Sequence, residues 1–180
     1  MVGTRKKVMA LGMDNSEPRF YALQWTLDHF FVLFGQDPPF KLLIIHAQPP
    51  LASVVGFTGP GTASSQFENA DSKKRAQNVV EKAREVCNNT GVNNVVIEVI
   101  EGDARNEICD VVDRHHTSIL VVGNHNYGSV KRALLGSVSD HCSHNAHCSV
   151  LILECVVQTL DNNNDDIPNK ETASIIKPSD

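Results

Sequence analysis

The sequence predicts an α/β domain of three layers, in which a doubly wound, five-stranded parallel sheet is covered by helices on both faces. Three observations carry this prediction. Five short apolar runs have the length of strands: Lys7 to Met13, Lys41 to Ala47, Val95 to Ile100, Ser118 to Val122 and Ser149 to Leu153. The stretches between them repeat apolar residues every three to four positions, as amphipathic helices do. The two kinds of segment alternate from Lys7 to Leu153, the order that right-handed crossovers between parallel strands require. One domain over residues 1–155 is expected, with residues 156–180 a disordered polar tail.

Composition narrows the function classes. The 180 residues are 41% hydrophobic with a net charge of -5 and scattered basic residues, which argues against general binding to nucleic acid or to an anionic membrane. Met1 to Arg5 lacks the apolar stretch of a signal peptide, and no apolar run approaches a membrane span. A cytoplasmic location, or a nuclear one, is the expectation. Five cysteines at irregular spacing do not make a secreted disulfide framework and read as reduced thiols.

Taken in order, the first strand ends at Gly12-Met13-Asp14, and a helix begins at Ser16 with Pro18 in its first turn. Phe20, Leu23, Leu27, Phe30, Phe31 and Phe34 share its apolar face, Trp25 lies beside them, and Gly35 ends it. The second strand ends at His46-Ala47. Residues 48–65 are rich in proline, glycine and small polar residues and read as a long loop, of the kind that is functional or disordered. Asp71 to Asn88 then forms a helix with Ala76, Val79, Val80, Ala83, Val86 and Cys87 inward, stopped at Thr90-Gly91. The third strand leads through Gly102-Asp103 into a helix from Ala104 to Arg114, with Ile108, Val111 and Val112 inward. His115-His116 at its end reads as solvated.

The fourth strand runs to Val122 and stops at Gly123. A polar loop follows, and Gly136-Ser137 opens a helix to His144 ahead of the fifth strand. Ligands in such sheets bind beyond the carboxyl ends of the strands, where strand order reverses. Glycines at a strand-to-helix junction permit tight turns or close approach of a ligand, and amides at a helix start favour an anion. Gly12, Met13, Asp14, Ala47, Val122 and Gly123 therefore border one candidate rim. Asp14 has a structural alternative as a helix cap. His46 reads as a satisfied core or rim histidine.

The residues Gly123, Asn126, Gly136 and Ser137 stand at the four positions of a G-x2-G-x9-G-[ST] pattern, three of them matching. With the strand-end Asp14, the Gly102-Asp103 pair and the run from Lys131 to Leu153, this resembles the universal stress protein family, and in particular its plant members. The resemblance covers about Lys6 to Leu153. It implies a sheet of the adenine nucleotide alpha hydrolase-like class, a homodimer through the last strand, and an ATP or AMP site, with Mg²⁺ as a companion ion. By the same resemblance, Asp14 lies near the adenosine or a metal and Ala47 contacts the adenine. Gly123 and Asn126 frame the phosphate loop, while Gly136, Ser137, Val138 and Ser139 offer amides and hydroxyls to phosphate. Lys131 and Arg132 can add charge from the segment between, where long basic side chains are as often solvated, and Gly128 can partly compensate for Asn126 by loosening the loop. Asn126 departs from the family's glycine. Asparagine tolerates the left-handed turn, but its side chain either collides with a phosphate or rotates to donate to it.

The resemblance implies a nucleotide-binding regulator of stress response with signalling partners that the sequence does not name. A nucleotide-independent, chaperone-like dimeric module and a weak ATP hydrolase are the alternatives. No nucleophile is paired with a base at a recognisable spacing, so a dedicated enzyme has little support. His141, His144, Cys142, His147 and Cys148 tempt a zinc reading, yet they lack a C-x2-C pair. Cys142 and Cys148 read instead as small buried hydrophobes, and His147 as a helix-end residue.

Overall fold

The computed structural model describes residues 6–49, 64–125, 137–155 and 172–176. Their elements are β1 (Lys7–Met13), α1 (Glu17–Phe30), a 3-10 turn (Val32–Phe34), β2 (Phe40–Gln48), α2 (Ser64–Asn89), β3 (Val95–Glu101), α3 (Ala104–Arg114), β4 (Thr117–His125), α4 (Ser137–Asn145), β5 (Ser149–Cys155) and β6 (Thr172–Ile176). The sheet order is β3-β2-β1-β4-β5-β6. The first five strands pair in parallel, as expected, and β6 pairs antiparallel to β5 with Val150 opposite Ile176 and Glu154 opposite Thr172.

Alternation along the buried strands makes two cores. Met9, Leu11, Met13, Leu42, Ile44, Val121, Leu151 and Leu153 face α1 and α2, which contribute Leu23, Leu27, Phe31, Val79, Ala83 and Cys87. Ala10, Leu43, Ile45, Leu120, Val122, Val150 and Ile152 face α3 and α4 on the other side, against Ile108, Val111, Val112, Cys142 and Ala146. Strands buried on both faces need continuous apolar runs, which is why periodicity exposed them so plainly. Each such Leu or Ile removed from water stabilises the fold by about 1.5–3 kcal/mol.

Five readings of the sequence need correction. β4 does not stop at Gly123 but continues to His125, with Gly123 opposite Leu153 in the β5 register. The 156–180 segment is not all unpaired tail, because Thr172–Ile176 satisfies its backbone on the edge of β5. Phe34 is half-exposed, as are Val32 and Leu33 to a greater or similar degree, since α1 gives way after Phe30 to a 3-10 turn that swings the chain outward to Gly35. His115 is not merely solvated: its Nε2 meets Glu98 Oε1 at 2.6 Å, joining the end of α3 to β3. α2 also starts at Ser64, inside the expected loop. The remainder of that loop from residue 50, together with Asn126, Gly128, Lys131, Arg132 and Gly136, lies outside the described residues.

Candidate functional site

The order in which the chain adds strands reverses between β1 and β4, so the crevice at their carboxyl ends is where a parallel α/β sheet opens to a ligand. Asp14 follows β1 directly at this place. Its Oδ1 accepts the Ser16 N–H at 2.9 Å, which turns the chain into α1, and its Oδ2 lies 3.7 Å from Arg19 Nη2. Ser16 is the N-cap of α1 in extended conformation, and its hydroxyl makes no capping bond. Asp14 thus has a structural role in the turn before the helix.

On the β2 side, His46 is buried and its Nδ1 lies 2.9 Å from the Met13 carbonyl oxygen. A carbonyl only accepts, so Nδ1 carries the proton in this bond. Ala47 is half-buried on the same strand end, opposite Ile100 of β3. The backbone of Gln48 accepts the Gly102 N–H at 2.8 Å, closing the rim toward β3.

The sequence-predicted residues divide by what their side chains do. Met13 and Val122 are core residues that bring only backbone to the rim. At Gly12 a Cβ would stand 3.2 Å from Ile108 Cδ1, so the end of that side chain on α3 would have to give by a few tenths of an ångström. Gly123 has a structural cause: a Cβ would stand 2.8 Å from the Pro18 carbonyl oxygen and 3.1 Å from Arg19 Cδ. α1 therefore rests on β4 at this point. α4 begins at Ser137, with Val138 half-buried against the α3 side of the core and Ser139 buried. The N-terminus of such a helix favours a capping or anionic group.

Residues that sequence reasoning missed complete the rim. Four buried side-chain polar atoms lack a hydrogen-bond partner among the described residues: Ser16 Oγ, Arg19 Nε, Gln48 Oε1 and Thr117 Oγ1. The first three belong to the carboxyl rim, and Thr117 to the opposite end of β4. Leaving a buried polar atom unmet costs about 1–3 kcal/mol, so Ser16 Oγ and Arg19 Nε beside the β1/β4 crevice suit another polar group there, while Gln48 Oε1 lies toward β3. No periodicity points to Arg19. The one available signal was a cation five residues after the strand-end aspartate.

The Universal stress protein family pattern matches residues 5–154 of this chain. The chain belongs to the universal stress protein family. It is similar to universal stress protein PHOS34 of Arabidopsis thaliana, at 26% identity over 84% of this chain and 62% of that protein. Universal stress protein PHOS32 of the same plant is 24% identical over 84% of this chain and 65% of its own length, so the chain spans just under two thirds of these relatives. Among solved structures, the fold resembles universal stress protein UspA from Lactobacillus plantarum (TM-score 0.63, 17% identity, covering 82% of this chain and 97% of that one). It also resembles a family member from Arabidopsis thaliana solved with AMP bound (TM-score 0.58, 22% identity, 88% and 97% covered).

The His and Cys cluster of this universal stress protein is dispersed by the fold. His144 Nδ1 lies 2.8 Å from the Asp140 carbonyl oxygen, and His147 Nδ1 lies 2.9 Å from Asp113 Oδ2. No group of three His, Cys, Asp or Glu residues converges to hold a metal among the described residues. Cys87, Cys109, Cys142 and Cys148 are buried free thiols. The thiols of Cys109 and Cys142 share a hydrogen bond between α3 and α4 in which Cys142 donates. Accepting that bond draws the Cys109 thiol below its ordinary value against the opposing effect of burial. Cys142 is pushed well upward by donating it and by burial, with Arg19 opposing.

Proposed function

We propose that this chain is an adenine-nucleotide-binding regulatory protein of the stress response, with the nucleotide in the β1/β4 crevice. The observation that carries the reading is the pair of unmet buried atoms, Ser16 Oγ and Arg19 Nε, just after β1 at the switch point of a doubly wound sheet. In this reading the rim beside Ala47 receives the base, and the α4 start at Ser137, Val138 and Ser139 receives the phosphate, with Gly136 and Asn126 in the preceding loop. The AMP held by the similar Arabidopsis structure supports the choice of ligand.

The ligand acts as a signal by binding one state of the protein more tightly than another, and residues 48–65 are the segment assigned to respond. A homodimer through the sheet edge belongs to the same reading, with a second copy pairing on the outer edge of β6 or taking its place on β5. The deciding experiment is calorimetric titration of nucleotide-stripped protein with AMP and with ATP, beside Asn126→Gly. Micromolar binding by the unaltered chain supports the reading, whereas binding restored only by Asn126→Gly shows a site that this chain has lost.

Asn126 favours a second reading, a nucleotide-independent interaction module. Under it, neither the unaltered chain nor the glycine variant changes its partners or its assembly when nucleotide is added.

A further inference from the structure

Resting on that nucleotide-site reading, we propose that Arg19 is the phosphate-binding cation of the crevice and stands where a divalent metal would otherwise be needed, so that the ligand is taken as a metal-free anion. The first turn of α1 lies across β4 because Gly123 has no side chain: Pro18 O and Arg19 Cδ approach the vacant Cβ position to 2.8 and 3.1 Å. That close approach carries the arginine stem over the carboxyl ends of β1 and β4. Its side chain is only 13% exposed, and its charge reaches Cys142, three residues beyond Ser139 in α4.

The guanidinium is under-used where it sits. It has five N–H donors in a rigid plane. Nη2 lies 3.7 Å from Asp14 Oδ2, an ion pair too long for a close hydrogen bond, and the buried Nε has no partner among the described residues. A nearly buried guanidinium with donors to spare fits an acceptor that offers two oxygens to its fork, and phosphate is such a group. The start of α4 adds the amides that favour the same anion.

A protein-held Mg²⁺ does not fit these residues. Such an ion demands oxygen ligands in an octahedron, held by one or two carboxylates that are free to coordinate it. Asp14 is the carboxylate on hand, yet Oδ1 is engaged by the Ser16 amide at 2.9 Å and Oδ2 faces Arg19. The guanidinium therefore supplies the positive charge that a metal would bring, and it does so without leaving the protein.

Calorimetric titration of the nucleotide-stripped full chain with AMP, Mg·ATP and adenosine, each repeated in EDTA for the two phosphate ligands, tests this. AMP affinity should agree within about twofold with and without Mg²⁺, and Arg19→Gln should weaken AMP about tenfold or more while moving adenosine less than about twofold. Arg19→Lys should fall between, since it keeps the charge and loses the planar fork. Circular dichroism confirms that the variants fold, and the comparison of Mg²⁺ with EDTA needs no variant. A requirement for Mg²⁺ in AMP binding overturns the proposal, as does an Arg19→Gln variant that keeps AMP or loses adenosine equally. In those cases the nucleotide site stands and only the role of Arg19 falls. Failure of the unaltered chain to bind either AMP or adenosine removes the site itself and the role with it.

Discussion

The carbonyl oxygen of Pro18 lies 2.8 Å from the point where a side chain on Gly123 would begin. This contact joins the first turn of α1 to β4. Gly123→Ala must push the two apart, and overpacking of this kind costs about 1–3 kcal/mol. We expect a lower melting temperature without any ligand present, measured by calorimetry or circular dichroism. An alanine variant as stable as the unaltered chain would mean that this glycine serves only the loop after it.

Gly102 has φ +153°, a region that side chains rarely occupy, and its vacant Cβ position is filled by the Glu107 side chain. Gly102→Ala should destabilise by about 1–3 kcal/mol from backbone strain. Adding Glu107→Ala should recover only part of the loss, because it clears the space and leaves φ unchanged. Full recovery in urea melts of the double variant would assign the whole cost to crowding.

Asp103 caps α3, accepting the Arg105 N–H at 2.9 Å while its carboxylate takes the Arg105 guanidinium at 2.7 Å. The Arg105 side chain, and then its amide, hold this carboxyl at about 2, below its ordinary 3.8. Depression in the folded state means stability that is present above about pH 4 and lost as pH falls toward 2. Asp103→Asn should therefore lower the melting temperature at neutral pH, by an amount that shrinks across this window. A difference that stays constant from pH 7 to pH 2 would show that the charge contributes nothing.

Among the four cysteines whose side chains are described, Cys109 is the one whose thiol is drawn downward, by the bond from Cys142. Burial pushes Cys87 and Cys148 up to about 11. Labelling of the native protein with iodoacetamide, read by peptide mass spectrometry, should modify Cys109 before the other three, because the thiolate is the reacting form. Equal or faster labelling of Cys87 or Cys148 would contradict the order.

β6 covers the edge of β5, with Leu151 opposite Ile175 and Leu153 opposite Ala173. Ending the chain after Cys155 bares a row of backbone donors and acceptors. Light scattering across a concentration series should show stronger self-association for the shortened chain. Identical masses for both lengths would mean that β6 is not what guards that edge.

Much of this fold could be read from the sequence because strands with two buried faces have no polar positions to confuse them. Ala104–Arg114 is predicted and found with the same bounds, from the spacing of Ile108, Val111 and Val112. Phe34 follows the helical period yet is half-exposed, since periodicity does not report where a helix turns away from its core. β6 is five residues inside a polar segment, and its pairing with β5 is a long-range event without local signature. Of the site, the Asp14 end and the α4 start were visible as motifs. Arg19 was not, because a cation in a first helical turn looks like a solvated one until the glycine beneath it is seen to draw the helix down.

The strand order also fixes when the crevice can exist. β1 begins at Lys7 and is synthesised first, but its second neighbour, β4, begins only at Thr117. During synthesis the early strand can pair with β2 while its other edge waits for the distant half of the chain, a non-local closure that is slow to form. The seam between Asp14 and Gly123 is thus a late event in folding, and a ligand held there would be gripped only by chains whose two halves have met.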